Sequence, residues 1–154
     1  MILKRKHKRK GFDGGLCVLT ILGEPASKAN SRRIVKIHGR IASIKSKKAL
    51  RYSKNFKLQC PIWGELWEDN LCIAMKIYYS TLRPDLDESL ILDLLQKRIY
   101  KNDRQVKIKY IEHGLDRTNP RSIIVIGPIE DRENVMRTLH ANVEREEEEC
   151  SKGK

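Results

Sequence analysis

Asp85, Asp87 and Glu88 crowd three carboxylates into four positions of the run Arg83-Pro84-Asp85-Leu86-Asp87-Glu88, in an otherwise basic chain. Proline disfavours the α region for the residue before it, so Arg83 enters this run extended. If Asp85–Asp87 stays extended, side chains two apart point the same way and the two carboxylates converge. Converging carboxylates repel and resist desolvation, and a divalent cation relieves both. Hard oxygen donors of this kind suit magnesium or manganese. A further acid, Asp103, lies in Tyr100-Lys101-Asn102-Asp103-Arg104-Gln105-Val106. A strand–helix–strand path can bring it back to face Asp85 and Asp87. The competing reading is structural. Asp85 followed by Glu88 is a variant of the capping box, acids in a first turn complement the helix dipole, and Asn102-Asp103 reads as a turn.

Charge elsewhere bears on the choice. The 154 residues include 32 Lys and Arg against 20 Asp and Glu, a net +12. Residues 1–60 hold 17 of the basic side chains and only two acids, Asp13 and Glu24, hence +15; the remainder carries −3. Such a concentration points to a polyanion, nucleic acid first and an anionic membrane surface second. A metal-dependent nuclease needs a positive surface and a negative pocket together, which favours the metal over the cap.

Other chemistries find little support. The four histidines, His7, His38, His113 and His140, lie in unlike contexts, and no phosphate-binding glycine loop occurs. Cys17, Cys60, Cys72 and Cys150 are scattered without a CxxC pair, arguing against zinc and for reduced thiols in a cytoplasm. The uncharged stretches are far short of a membrane span. A basic MILKRKHKRK before apolar Leu16–Leu22 imitates a signal peptide, but Gly11–Gly15 with Asp13 intervenes and no small-x-small site follows.

The elements that must position these residues form a small α+β domain, a mixed sheet with packed helices. Residues 1–15 read as a basic disordered arm, residues 16–129 as the domain, and residues 130–154 as a marginal helix with an acidic tail. Leu16–Leu22 is a strand ended by Gly23-Glu24-Pro25. Ser27–Arg33 reads as a basic loop and Ile34–Ile44 as a hairpin around Gly39. Lys47–Pro61 has helical spacing, with Leu50, Phe56, Leu58 and Cys60 on one side. Strands are expected at Leu71–Tyr79, Gln105–Glu112 and Ile123–Ile129, the last two as a long hairpin. Helices are expected at Asp87–Ile99 and Arg132–Glu148, with Trp63 and Trp67 as core anchors.

The run Asp85-Leu86-Asp87, the helix after it, and Asn102-Asp103-Arg104-Gln105-Val106 resemble the RusA family of Holliday-junction resolvases, whose pattern is D-L-D-N…D-D-x-Q-V. The strand ending in Gly23-x-Pro25 and the basic Ser27–Arg33 segment fit the family's N-terminal region, and the resemblance spans roughly residues 16–128. It implies a RusA-like α+β homodimer of bacterial or phage-infected cytoplasm that nicks four-way or other branched DNA symmetrically, using magnesium, in recombination and repair. It implies that Asp85, Asp87 and Asp103 are the metal-binding, catalytic aspartates. Lys28, Arg32, Arg33, Arg83 and Arg104 are the candidates for phosphate contact. The chain departs from the pattern at Glu88, at Asn102 and at Ile91, where the family commonly has a functional lysine. The alternative is a basic nucleic-acid-binding protein or a catalytically inactive relative, with Asp85 and Glu88 capping a helix.

Overall fold

The computed structural model describes residues 12–13 and 15–153. The strands are β1 (Phe12–Asp13), β2 (Leu16–Leu22), β3 (Arg32–Ile37), β4 (Arg40–Lys45), β5 (Leu71–Tyr79), β6 (Val106–Leu115) and β7 (Arg121–Pro128). The helices are α1 (Lys47–Gln59), α2 (Ser89–Leu95) and α3 (Arg132–Lys152). Five strands form a mixed sheet in the order β1-β2-β7-β5-β6, and β3 with β4 forms a separate two-stranded sheet. The molecule is thus α+β, as its sequence predicts. Among the described residues, no helix is long and apolar enough to cross a membrane.

β5 lies inside the sheet because, apart from Lys76, its sequence is apolar on both faces. Leu71, Ile73, Met75, Ile77 and Tyr79 pack with α1 and α2 on one side, and Cys72, Ala74 and Tyr78 pack with α3 on the other. That period-two division makes a three-layer sandwich, with sheet between helices. β5 pairs antiparallel with β7 and parallel with β6 through the α2 crossover. The expected β6–β7 hairpin does not form. A strand apolar on both faces needs a neighbour at each edge, so β5 lies between them. β6, with Lys107 and Lys109 exposed, takes the edge.

α1 begins at Ser46, whose hydroxyl accepts from Ala49 N–H. Its buried face is Ala49, Tyr52, Ser53 and Phe56, whereas Leu50 and Leu58 are exposed. Of the expected apolar side, Phe56 and Cys60 are buried and Leu50 and Leu58 are not. Trp63 is buried and meets Trp67 edge-on at 5.2 Å between ring centroids. α2 is shorter than the Asp87–Ile99 expected; Lys97, in left-handed conformation at φ 64°, follows it.

The ends of the chain differ from expectation in two ways. Phe12–Asp13 pairs with Leu16–Cys17, so the sheet begins before the expected boundary; residues 1–11 lie outside the described residues. The acidic run Glu146–Glu149 is helical, and α3 continues to Lys152. Glu146 accepts from Arg121 Nε (2.7 Å) and Glu147 from Lys76 (3.2 Å) and the Tyr78 hydroxyl (3.1 Å). These acids brace α3 against the sheet. Cys17, Cys60 and Cys72 are buried free thiols, and Cys150 is exposed.

A candidate nucleic-acid interface beside an acidic loop

Residues 80–88 connect β5 to α2, and Asp87 is the hub of that loop. Its Oδ1 accepts from the Ser89 N–H (2.9 Å) and hydroxyl (2.6 Å), which satisfies a free amide at the start of α2. Its Oδ2 accepts from the Lys28 N–H at 2.5 Å, and its own N–H donates to the Tyr79 hydroxyl at 3.2 Å. Partial burial pushes the Asp87 carboxyl up. The hydrogen bonds from Ser89 and Lys28 outweigh burial and hold it below the usual carboxylate range. The capping expectation fails in its detail. Asp87 rather than Asp85 serves the first turn, and Glu88 instead accepts from Lys109 Nζ at 2.6 Å.

Glu24 joins this neighbourhood, beyond its place in the strand-ending Gly23-Glu24-Pro25. It accepts from the Ser80 N–H (3.0 Å) and hydroxyl (3.2 Å) and from Lys48 Nζ (2.9 Å). Burial raises its pKa, and the Lys48 and Ser80 bonds outweigh that and lower it. The Tyr79 hydroxyl is pushed up, first by burial and then by the charges of Asp87, Glu24 and Glu88. The available signal was that Glu24 is the sole acid between Asp13 and Glu65. A lone carboxylate in so basic a stretch needs a reason.

Asp103 stands elsewhere. Asn102 Oδ1 accepts from Arg104 N–H (2.9 Å) and Gln105 Oε1 accepts from Asn102 N–H (2.8 Å), a capping box that makes Asp103–Gln105 a tight 3-10 turn. Gln105 Nε2 donates to the Trp67 and Asp69 carbonyls, pinning the turn near the start of β5. Val106 pairs with Leu71 and Leu115 with Tyr79. The turn therefore sits at one end of the β5–β6 pair, while residues 80–88 leave from the other. Among the described residues, no group of three or more His, Cys, Asp or Glu side chains could hold a metal ion. Asp85 and Asp103 are exposed, as are Arg83 and Arg104. Ile91 is fully buried, so its position belongs to the core of this fold.

The basic residues are better gathered. Lys28 opens a 3-10 turn, Lys28–Asn30, that leads directly into β3. Ser46 ties the far end of the hairpin to that turn, its N–H donating to Ser31 O (2.8 Å) and its hydroxyl to Asn30 O (2.7 Å). Arg32 and Arg33 are exposed at the ribbon's base. Residues 25–64 contain 11 Lys and Arg and no acid. Compared with protein-family models and with curated proteins, the chain matches none.

Proposed function

We propose that the chain acts on DNA as a magnesium-dependent endonuclease of RusA type, nicking four-way or other branched junctions as a homodimer in recombination and repair. The observation that carries the reading is the Lys28 N–H bond to Asp87. It fastens the basic Ser27–Arg33 segment to the acidic loop, so cations for phosphate sit beside carboxylates for a metal. Lys28, Arg32 and Arg33 would hold the backbone, with Arg83 and Arg104 contacting phosphates further out. Asp85 and Asp87 offer hard oxygen donors, and the hydrogen bonds on Asp87 keep it ionised. They would hold magnesium or manganese. Asp103, at the opposite end of the β5–β6 pair, would not share that ion. When bound, the ion supplies an activated water and charge stabilisation at the leaving oxygen. Two sites related by a two-fold axis would suit paired nicks on a symmetric junction.

A second reading, nucleic-acid binding without cleavage, is favoured by the same geometry. Both Asp87 oxygens already accept hydrogen bonds, and Asp103 stands apart. End-labelled four-way junction, fork and linear duplex, each incubated with the chain in magnesium and in chelator, separate the two. Paired nicks on the junction alone, requiring magnesium and lost in Asp87→Asn, are the expected result. Junction binding should survive that substitution or tighten, because removing negative charge beside phosphates strengthens their attraction. Tight binding with no nick in magnesium or manganese establishes the second reading.

A further inference from the structure

The β3–β4 ribbon presents one face that nothing in the fold covers. Register places Arg32 opposite Lys45, Ile34 opposite Ser43 and Lys36 opposite Ile41, so these six side chains share a face. All six are exposed, and Ile34 and Ile41 keep 77% and 80% of their surface in water. On the other face Val35, Ala42 and Ile44 are half-buried, and Arg33, Ile37 and Arg40 are exposed. His38 (φ 47°) and Gly39 (φ 79°) form a two-residue turn with both φ positive, the hairpin connection that keeps a ribbon's natural twist. The outward face is thus a built, regular surface, with Arg32 and Lys45 at its base, Ile34 and Ser43 in its middle, and Lys36 and Ile41 toward the turn.

We infer that this ribbon enters the major groove of duplex DNA, with Ile34 and Ile41 against the base edges and Arg32, Lys36 and Lys45 on the flanking phosphates. A major groove about 12 Å wide admits a two-stranded ribbon, whose strands lie about 4.8 Å apart. Six residues per strand give roughly 20 Å of reach, sufficient to follow the groove across several base pairs. Charge complementarity favours this occupant over a second copy of the chain, since two such faces would bring like charges together. Position favours it over a lipid surface, because the ribbon grows directly from the Lys28 turn bonded to Asp87. The inference rests on the DNA reading above but not on cleavage. It adds that this ribbon recognises duplex arms by groove.

Dimethyl sulfate footprinting on linear duplex in chelator tests it, since the reagent marks guanine N7 in the major groove and adenine N3 in the minor groove. The intact chain should protect N7 and leave N3 reactive. Ile34→Ser with Ile41→Ser should lose that protection and bind roughly 10- to 100-fold more weakly, with an unchanged salt slope. Both sites are exposed, and an unchanged circular dichroism spectrum will establish that the variant is folded. Lys36→Gln with Lys45→Gln should instead lower the slope of log affinity against log salt by about 1.8. Protection at adenine N3, or equal affinity for an RNA duplex whose deep major groove excludes side chains, would overturn the inference. So would a double-serine variant that changes oligomeric state or vesicle binding while its footprint stays intact. Groove protection without nicking would refute only the endonuclease reading.

Discussion

Replacing Arg121 by methionine tests the brace between α3 and the sheet. Arg121 opens β7 with its side chain 4% exposed. Its Nε donates to Glu146 (2.7 Å), its Nη1 donates to Asp116 (2.8 Å) and the Asn119 carbonyl (3.0 Å), and the guanidinium lies 4.1 Å from the Tyr78 ring centroid. Methionine preserves the aliphatic stem and removes every donor. Removing one partner of a buried pair costs about 3–5 kcal/mol. Asp116 and Glu146 are about a fifth exposed, so water re-solvates them in part and the lower figure applies. At about 2–4 °C per kcal/mol for a chain of this size, Tm should fall by roughly 6–12 °C at pH 7. Partial burial pushes the Asp116 carboxyl up, while bonds from Asn119, Arg121 and Thr118 outweigh this and hold it below its ordinary value. A depressed carboxylate stabilises the fold above its unfolded pKa and loses that contribution as pH falls through the folded one. The gap between wild type and Arg121→Met should therefore narrow below about pH 4. Thermal melts by circular dichroism from pH 3 to 8 measure both effects, and a double-mutant cycle with Glu146→Gln isolates the pair. A Tm within 1 °C of wild type at pH 7, or a strictly additive cycle, would refute the brace.

Gly127→Ala should cost about 1–3 kcal/mol by chemical denaturation, because its Cβ would stand 2.5 Å from Leu16 Cδ2 and 2.7 Å from Val135 Cγ2. If the paired-nick mechanism holds, sedimentation at micromolar concentration should give a species of about twice 17.9 kDa, and a monomer with and without junction would remove that mechanism. Deleting residues 1–11 removes six Lys and Arg and should flatten the salt slope for duplex DNA by up to about 5 per protomer. An unchanged slope would show that those charges do not meet phosphate.

Elements set by local chemistry are legible in the sequence. β2 matches its expected span of Leu16–Leu22 because Gly15 and Gly23, both at positive φ, bracket an apolar, β-rich run. The ribbon followed from Gly39, which a turn with positive φ requires. What was hidden is non-local. Nothing within residues 105–129 tells β6 and β7 that β5 will lie between them; that information is the double-sided apolarity of Leu71–Tyr79. On α1, large apolar residues drew attention to Leu50 and Leu58, whereas the core uses small Ala49 and Ser53 beside Tyr52 and Phe56. In the candidate site, Asp87 was recognised by its neighbours in sequence. Glu24 and the Lys28 amide reach it or Tyr79 only through folding. Asp103 shows the converse: a motif read as one site is divided by the parallel register of β5 and β6.

The pairing of β2 with β7 has a consequence for how the chain is made. Cys17 lies beside Ile126, so a strand near the beginning must await one near the end. β5 likewise gains an antiparallel neighbour only when Arg121–Pro128 has emerged. A growing chain therefore leaves the ribosome with its +15 segment before the strand that closes the sheet exists. Closing so long a loop is entropically slow, so the sheet should close late in folding. A nascent chain stalled before residue 121 can pair β5 with β6 but cannot bury β2, so protease should cut it freely until β7 has cleared the exit tunnel.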